Sequence, residues 1–436
     1  MNSYIKLLLF SFILYSCGTP VPQKKKKDPP PPSGISYLNK LRNNLGMVSL
    51  KTNKKLSNSS KNHARYLTKF GFKNPHVEKY TNSKLFTGHK VKDRVVSAGY
   101  KTTYSSENIT QSPTFDTKYL KNTISKSDQA VTDLITAIYH RFTFLDYTYD
   151  EIGFGKDSNN YVYNLGNSHL NNLCSKKQSP IRGKFYTNLC SEKGKMIKVG
   201  LKKKALNEVI KKNSKSYILF PGPGFKNVHP VFYNEIPDPL PDLNMSGNPI
   251  SLHFGPHVKD EIIITSFRLK NVKTNKIIKV RQLSSKNDPN KLFRKNFFAF
   301  FPLQRLDWDT KYSARLIYKS CSSCKSKKRN KIFWSFKTRK FKYKTLTIAN
   351  RNPRPVTIKN GEKVMLYFRP EKLNELNNRF SFKFRYSKNK KPLVKLKAID
   401  SNTVFFHVKN APPGQKINIF YKVENKKKRL IVKIKS

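Results

Sequence analysis

Ala130-Val131-Thr132-Asp133-Leu134-Ile135-Thr136-Ala137-Ile138-Tyr139-His140-Arg141-Phe142 places apolar side chains at Val131, Leu134, Ile135, Ile138 and Phe142. That spacing predicts one helix with one apolar stripe. At roughly 100° per residue His140 falls about opposite the stripe, so its ring faces solvent or a cleft, not the core behind its own helix. Downstream, Glu151-Ile152-Gly153-Phe154-Gly155 and Asn160-Tyr161-Val162-Tyr163-Asn164-Leu165 alternate like two paired strands. Upstream, Ile35, Leu38, Leu41 and Leu45 form a helical stripe. Leu56, Ala64, Tyr66 and Leu67 mark a second helix closed by Gly71. Asp93 to Tyr100 reads as a short helix with an acid near its start and Gly99 at its end. Helices around a small, late sheet make a sandwich of α/β or α+β class.

The 436 residues are enough for two to four domains. A 37% hydrophobic and 12% aromatic content supplies real cores and excludes a wholly disordered chain. The 87 Lys and Arg against 26 Asp and Glu give a net charge of +61. Such a field attracts polyanions. The abundance of Lys, Asn, Ile, Phe and Tyr together favours a general compositional bias as its source, and no nucleic-acid-binding motif accompanies it.

Lys6 precedes the apolar run Leu7–Leu14, which is too short to span a bilayer and reads as a signal peptide over residues 1–16. The run ends in Leu14-Tyr15-Ser16-Cys17, which resembles the lipobox of bacterial lipoproteins. The resemblance implies lipidation of Cys17 and a membrane anchor. Residues 17–34, with Lys24–Lys27 and Pro29–Pro32, read as a semi-rigid tether. Near anionic head groups each of those lysines adds about 1 kcal/mol of attraction. Four cysteines remain, an even number suited to an oxidising compartment. Cys174 and Cys190 flank a short loop that a disulfide would close. Cys321 and Cys324 form a single CxxC with no further zinc ligands nearby, so a disulfide or a pair of loop thiols is expected.

Residues 169–216 are lysine-rich and read as a connector, with a helix around Ala205–Ile210. Short strands bounded by turns follow at Tyr217–Phe220, Ile250–Phe254, Glu261–Ile264, Lys276–Val280, Tyr312–Tyr318 and Ile332–Phe336. Their density predicts a β-sandwich over 217–340 with Trp334 and Phe336 in its core. Pro302-Leu303, Thr310-Lys311-Tyr312 and Trp334-Ser335-Phe336-Lys337-Thr338 make this region similar to bacterial Ig-like domains. A second β module, 341–436, alternates apolar residues with lysine, as in Leu393-Val394-Lys395-Leu396-Lys397. Its lysines would form a solvent face and protect edge strands.

The first domain resembles the bacterial branch of the CAP superfamily, also called SCP or PR-1-like. Six ordered features carry the likeness: Leu38–Arg42; His63-Ala64-Arg65-Tyr66-Leu67; Pro75-His76-Val77-Glu78; Phe86–Arg94 leading to Ala98-Gly99-Tyr100; Glu107-Asn108-Ile109; and His140-Arg141 with Ile152-Gly153-Phe154-Gly155. The resemblance implies an α+β fold: a CAP-like α-β-α sandwich over residues 35–168, ahead of the two all-β sandwich modules. It also implies a cleft lined by His76, His140 and the acid Glu107. Glu78 is the candidate for a second acid and Glu151 the alternative. His63 and His89 are expected to be structural or solvated.

Two imidazoles and one or two carboxylates suit Zn²⁺ or another divalent cation, with His76, His140 and Glu107 as ligands and a position open for water or ligand. The same groups suit a general base and its orienting partner. No Ser or Cys stands out beside a base as a nucleophile. The expectation is a cell-envelope lipoprotein that binds an envelope or extracellular ligand. The alternatives are a metal-dependent hydrolase of envelope peptide or glycan, and a basic structural lipoprotein that binds polyanions.

Overall fold

The strand Glu151–Asp157 owes its place to two glycines. A Cβ on Gly153 would lie 2.1 Å from the Leu56 carbonyl carbon, and one on Gly155 would lie 2.2 Å from the Ser60–Lys61 backbone. Without side chains there, a helix lies directly on the strand. The computed structural model describes residues 33–111, 115–177, 182–321, 329–386 and 391–435. The expected signal peptide, Cys17, the expected tether through Pro32, and Cys324 lie outside them.

The first layer set comprises α1 (Ser33–Asn44), β1 (Lys51–Thr52), α2 (Lys54–Phe70), α3 (Val91–Ser97), β2 (Ser105–Gln111), α4 (Lys126–Thr136), α5 (Ile138–Phe144), β3 (Glu151–Asp157) and β4 (Asn160–Gly166). The sheet order is β1-β3-β4-β2, with β1 parallel to β3 and the other pairs antiparallel. One sheet face packs on α1 and α4 through Ile35, Leu38, Val131, Leu134, Tyr163 and Leu165. The other packs on α2 through Ala64, Leu67, Ile109 and Val162. The result is a helix-sheet-helix sandwich. Asn53 caps α2 by accepting from the Lys55 and Leu56 amides, and Gly71 ends it.

The connector holds α6 (Ser168–Ser175), a small ladder of β5 (Phe185–Tyr186) and β6 (Ile197–Lys198), and α7 (Val199–Ile210). Cys174 and Cys190 are joined by a disulfide across 16 residues. Cys321 is also disulfide-bonded.

The next module contains β7 (Tyr217–Phe220), β8 (Val231–Phe232), β9 (Ser246–Gly247), β10 (Ile250–Phe254), β11 (Glu261–Asn271), β12 (Ile277–Ile278), β13 (Val280–Ser284), β14 (Phe297–Pro302), β15 (Lys311–Cys321) and β16 (Asn330–Lys337). Sheets β13-β14-β10-β7 and β12-β11-β15-β16 close over Leu252, Phe300, Leu316, Trp334 and Phe336. Trp334 and Phe336 are buried, as expected. Strand β14, Phe297-Phe298-Ala299-Phe300-Phe301-Pro302, is absent from the sequence reading. It is covered on both faces and so lacks the alternation that marks a strand.

The last module contains β17 (Lys344–Ala349), β18 (Val356–Lys359), β19 (Lys363–Arg369), β20 (Asn377–Phe384), β21 (Leu393–Asp400), β22 (Thr403–Lys409), β23 (Lys416–Val423) and β24 (Lys426–Lys435). Its sheets, β17-β19-β22-β21 and β18-β24-β23-β20, form a second sandwich. The expected lysine solvent face fails at β19 and β22. There Met365, Tyr367 and Phe405 are buried against Phe115, Tyr119 and Leu120 of the first domain, with Trp308 and Phe341.

Gly153→Ala should lower the unfolding free energy by about 3 kcal/mol, the upper end of ordinary overpacking, because the clash is with backbone. Gly200→Ala, in open space within α7, should be neutral or stabilising by up to ~1 kcal/mol. Urea denaturation of both variants checks the contrast.

Candidate functional site

The helix that carries His140 is not continuous. Ala137 adopts φ −71°, ψ 124°, which ends α4 at Thr136 and restarts the chain as α5. The apolar stripe divides at that break. Val131, Leu134 and Ile135 enter the core of the first domain. Ile138 and Phe142 enter a different core, with Phe232, Leu240, Phe293 and Phe301 of the β module. Arg141, fully buried, donates to the Pro249 carbonyl (2.6 Å), Asn248 Oδ1 (3.0 Å) and Ser251 Oγ (3.1 Å), and stacks 4.5 Å from the Phe220 ring. Burial brings its pKa down to about 9.

The break exposes the first amides of α5 to Glu235, which lies between β8 and β9. Glu235 Oε1 accepts from the Ile138 amide (2.5 Å) and the Tyr139 amide (3.2 Å). Its Oε2 lies 2.9 Å from His140 Nδ1. One carboxylate from the β module thus caps α5 and fixes the His140 ring. Asn108 Nδ2 holds the His140 carbonyl at 2.9 Å.

His76 is held in a matching way. Its Nδ1 lies 3.1 Å from Glu107 Oε1, which also accepts from Arg94 Nη2 at 2.7 Å. A carboxylate accepts only, so each Nδ1 facing one carries the hydrogen and each Nε2 keeps its lone pair when the ring is neutral. The two rings lie 6.2 Å apart between centroids, inclined by 29°. His76 is 43% exposed at its side chain and His140 15%. Burial alone would raise the Glu107 pKa, but the adjacent Arg94 and the neighbouring histidines outweigh it and bring it to about 2.

Glu78, the expected second acid, is turned away. It is fully buried, with Oε1 2.8 Å from His63 Nδ1 and Oε2 accepting from the Thr87 amide at 2.6 Å. Arg94 sits between Glu78 and Glu107, with its Nε 4.0 Å from Glu78 Oε1. His63 is therefore structural, and His89 is exposed, with Nδ1 on the Glu78 carbonyl. Glu151 holds Tyr100 Oη (2.6 Å) and Asn53 Nδ2 (2.9 Å), a role in the packing of α2. The second acid at the histidine pair is Glu235.

His76, His140 and Glu235 line a cavity of about 310 Å³ together with Ile109, Leu134 and Phe232. Its walls come from the first domain and the β module. Among the described residues no group of three or more His, Cys, Asp or Glu side chains is spaced to enclose a metal ion. Glu107, expected as a ligand, stands behind His76 as its orienting partner. The donors that fit a cation are the two imidazoles, each backed by a carboxylate in the manner of metal-binding histidines.

Residues 35–171 match the family model described as the cysteine-rich secretory protein family, CAP. This segment of the chain is a CAP-superfamily domain. A solved extracellular protein from Bacillus anthracis containing an SCP domain is 14% identical, over 30% of this chain and 38% of that one, with a TM-score of 0.24. This chain therefore spans well under half of that protein. Zebrafish RET cadherin-like domains 1 to 4 are 8% identical, over 44% of this chain and 46% of that one, with a TM-score of 0.16. The N-terminal part of the bacterial S-layer protein SbsC is 9% identical, over 56% and 50%, with a TM-score of 0.19. Comparison with curated proteins gives no match.

Two functional residues, Arg94 and Glu235, have no role that the sequence assigns. Arg94 lies at the end of the motif Phe86–Arg94, which marks its position but not its function. Glu235 lies in Tyr233-Asn234-Glu235-Ile236-Pro237, a turn segment with no periodicity to mark it. Removing the buried Glu107 charge should cost roughly 3 kcal/mol, the low end for a broken buried pair, because Arg94 loses its close partner at 2.7 Å and keeps only Glu78 at 4.0 Å. Its folded pKa is depressed from 4.5, so its contribution is complete above pH 4.5 and is lost as pH falls through about 2. Urea midpoints of the native chain and Glu107→Gln should differ by a constant amount down to about pH 5 and converge below it.

Proposed function

We propose that the cleft is a recognition site for a divalent cation, zinc or a chemically similar ion, together with a ligand that completes its coordination. The observation that supports this reading is the paired orientation of the histidines: each Nδ1 is tied to a carboxylate, and the two rings stack 6.2 Å apart on one cavity. His76 and His140 would hold the ion through Nε2, with Glu107 and Glu235 setting ring tautomer and basicity. With two protein donors, the remaining positions belong to water or to oxygen atoms of the ligand. Bound there, the cation would supply Lewis-acid attraction for those oxygens. The apolar wall of Ile109, Leu134 and Phe232 would take the ligand's non-polar part.

We infer that the protein works outside the cytoplasm, held at the cell envelope through Cys17. The signal-like run before Cys17 and the Cys174–Cys190 disulfide support an oxidising compartment. Among the described residues no helix is long and apolar enough to cross a membrane.

Calorimetric titration of the full chain with Zn²⁺, and with Co²⁺ as a spectroscopic probe, tests the site. Binding with one ion per chain is expected, with loss in the His76→Ala, His140→Ala double variant and a weakening of about 10–100-fold in Glu235→Gln. Zn²⁺ binding unchanged in the double variant would remove the proposal. A turnover assay on envelope peptides and glycans with the same variants separates recognition from hydrolysis.

A further inference from the structure

A second cavity, of about 680 Å³, lies where α1, the 120–124 loop, the loop after β7 and the Arg339–Lys340 segment meet. Its lining includes Lys40, Lys226, Arg339 and Lys340, and among the described residues that line it none is acidic. Arg339 is 3% exposed. Its guanidinium donates to neutral acceptors: Gln129 Oε1 (2.9 Å), the Asn227 carbonyl (3.2 Å) and Thr132 Oγ1 (3.3 Å). Burial lowers its pKa, with Tyr37 and Asp133 acting in the opposite direction. Lys340 is paired with Asp309 at 3.1 Å. Lys40 and Lys226 are exposed, and among the described residues no carboxylate pairs with them.

The rest of the lining narrows the ligand's chemistry. Tyr37 and Phe225 present partly buried aromatic rings, and Asn44, Asn122 and Asn227 present exposed carboxamides. Aromatic faces suit the non-polar C–H face of a pyranose ring, and carboxamides pair with hydroxyls as donors and acceptors. Cations with no acid among them suit carboxylates. A duplex or single-stranded nucleic acid would call for a longer basic track with several stacking rings. We propose that this junction binds an acidic oligosaccharide, one bearing uronic-acid carboxylates, at a site separate from the histidine cleft.

The experiment must distinguish a built site from the field of a strongly basic chain. Fluorescently labelled tetragalacturonate is titrated into the full chain at 150 mM salt, with maltotetraose as the neutral comparison. Saturable binding of the acidic sugar alone is expected. The Lys40→Glu, Lys226→Glu pair should weaken it about tenfold or more, by loss of two attractions and gain of two repulsions. The Lys416→Glu, Lys433→Glu pair, equal in charge and placed on β23 and β24, should change it less than about twofold at this ionic strength. Tyr37→Ala, which alters no formal charge, should weaken it several-fold. Equal losses in the two lysine pairs, no binding by the native chain, equal binding of maltotetraose, or tighter binding of a phosphodiester oligomer of the same charge would each overturn the assignment. The His76→Ala, His140→Ala variant should bind the sugar normally, so failure at one site leaves the other standing.

Discussion

A single carboxylate, Glu235, governs how the parts of this molecule depend on one another. Its oxygens satisfy the first amides of α5 and the Nδ1 hydrogen of His140. Four backbone amides at any helix start lack partners, so a helix that restarts after a break needs an acceptor there. Here the acceptor comes from another module, 95 residues away from His140 in sequence. The ring of the histidine that defines the cleft is therefore oriented by a partner that the β module supplies. Arg141, next in sequence, strengthens that docking by donating to Pro249, Asn248 and Ser251.

The other half of the cleft is built wholly within the first domain. His63, Glu78, Arg94, Glu107 and His76 form an alternating line of cationic or polar groups and carboxylates. Arg94 is fully buried and would be untenable without the two acids beside it. Its charge keeps Glu107 ionised, and the ionised carboxylate fixes the His76 ring. The two histidines thus face one cavity by different means: one through a line of ion pairs and hydrogen bonds inside the first domain, the other through a contact between modules.

The same principle of shared surfaces explains burial in the third module. Met365, Tyr367 and Phe405 belong to the outer face of its sheet, yet they are covered by Phe115, Tyr119 and Leu120. Three modules meet around the first domain, and the basic junction at Arg339 is one of the seams. Seams concentrate residues from distant parts of the chain, which is why both cavities described are lined by more than one module.

The amino-acid sequence alone determined the elements whose neighbours lie close along the chain. The stripe of Leu56, Ala64 and Leu67, the Gly71 stop and the alternation of β3 and β4 were legible because local periodicity encodes them, and the family resemblance named His76 and His140, which line one cavity, while Glu107, expected beside them, stands behind His76. Tertiary structure alone decided the break at Ala137, the strand Phe297–Pro302 and the partner of each histidine. A helix break depends on an outside acceptor, a doubly covered strand shows no alternation, and a carboxylate in a turn carries no pattern. Glu78 and Glu235 are both glutamates near plausible motifs or turns. Only the packing of Arg94 and the docking of the β module send the first to His63 and the second to His140.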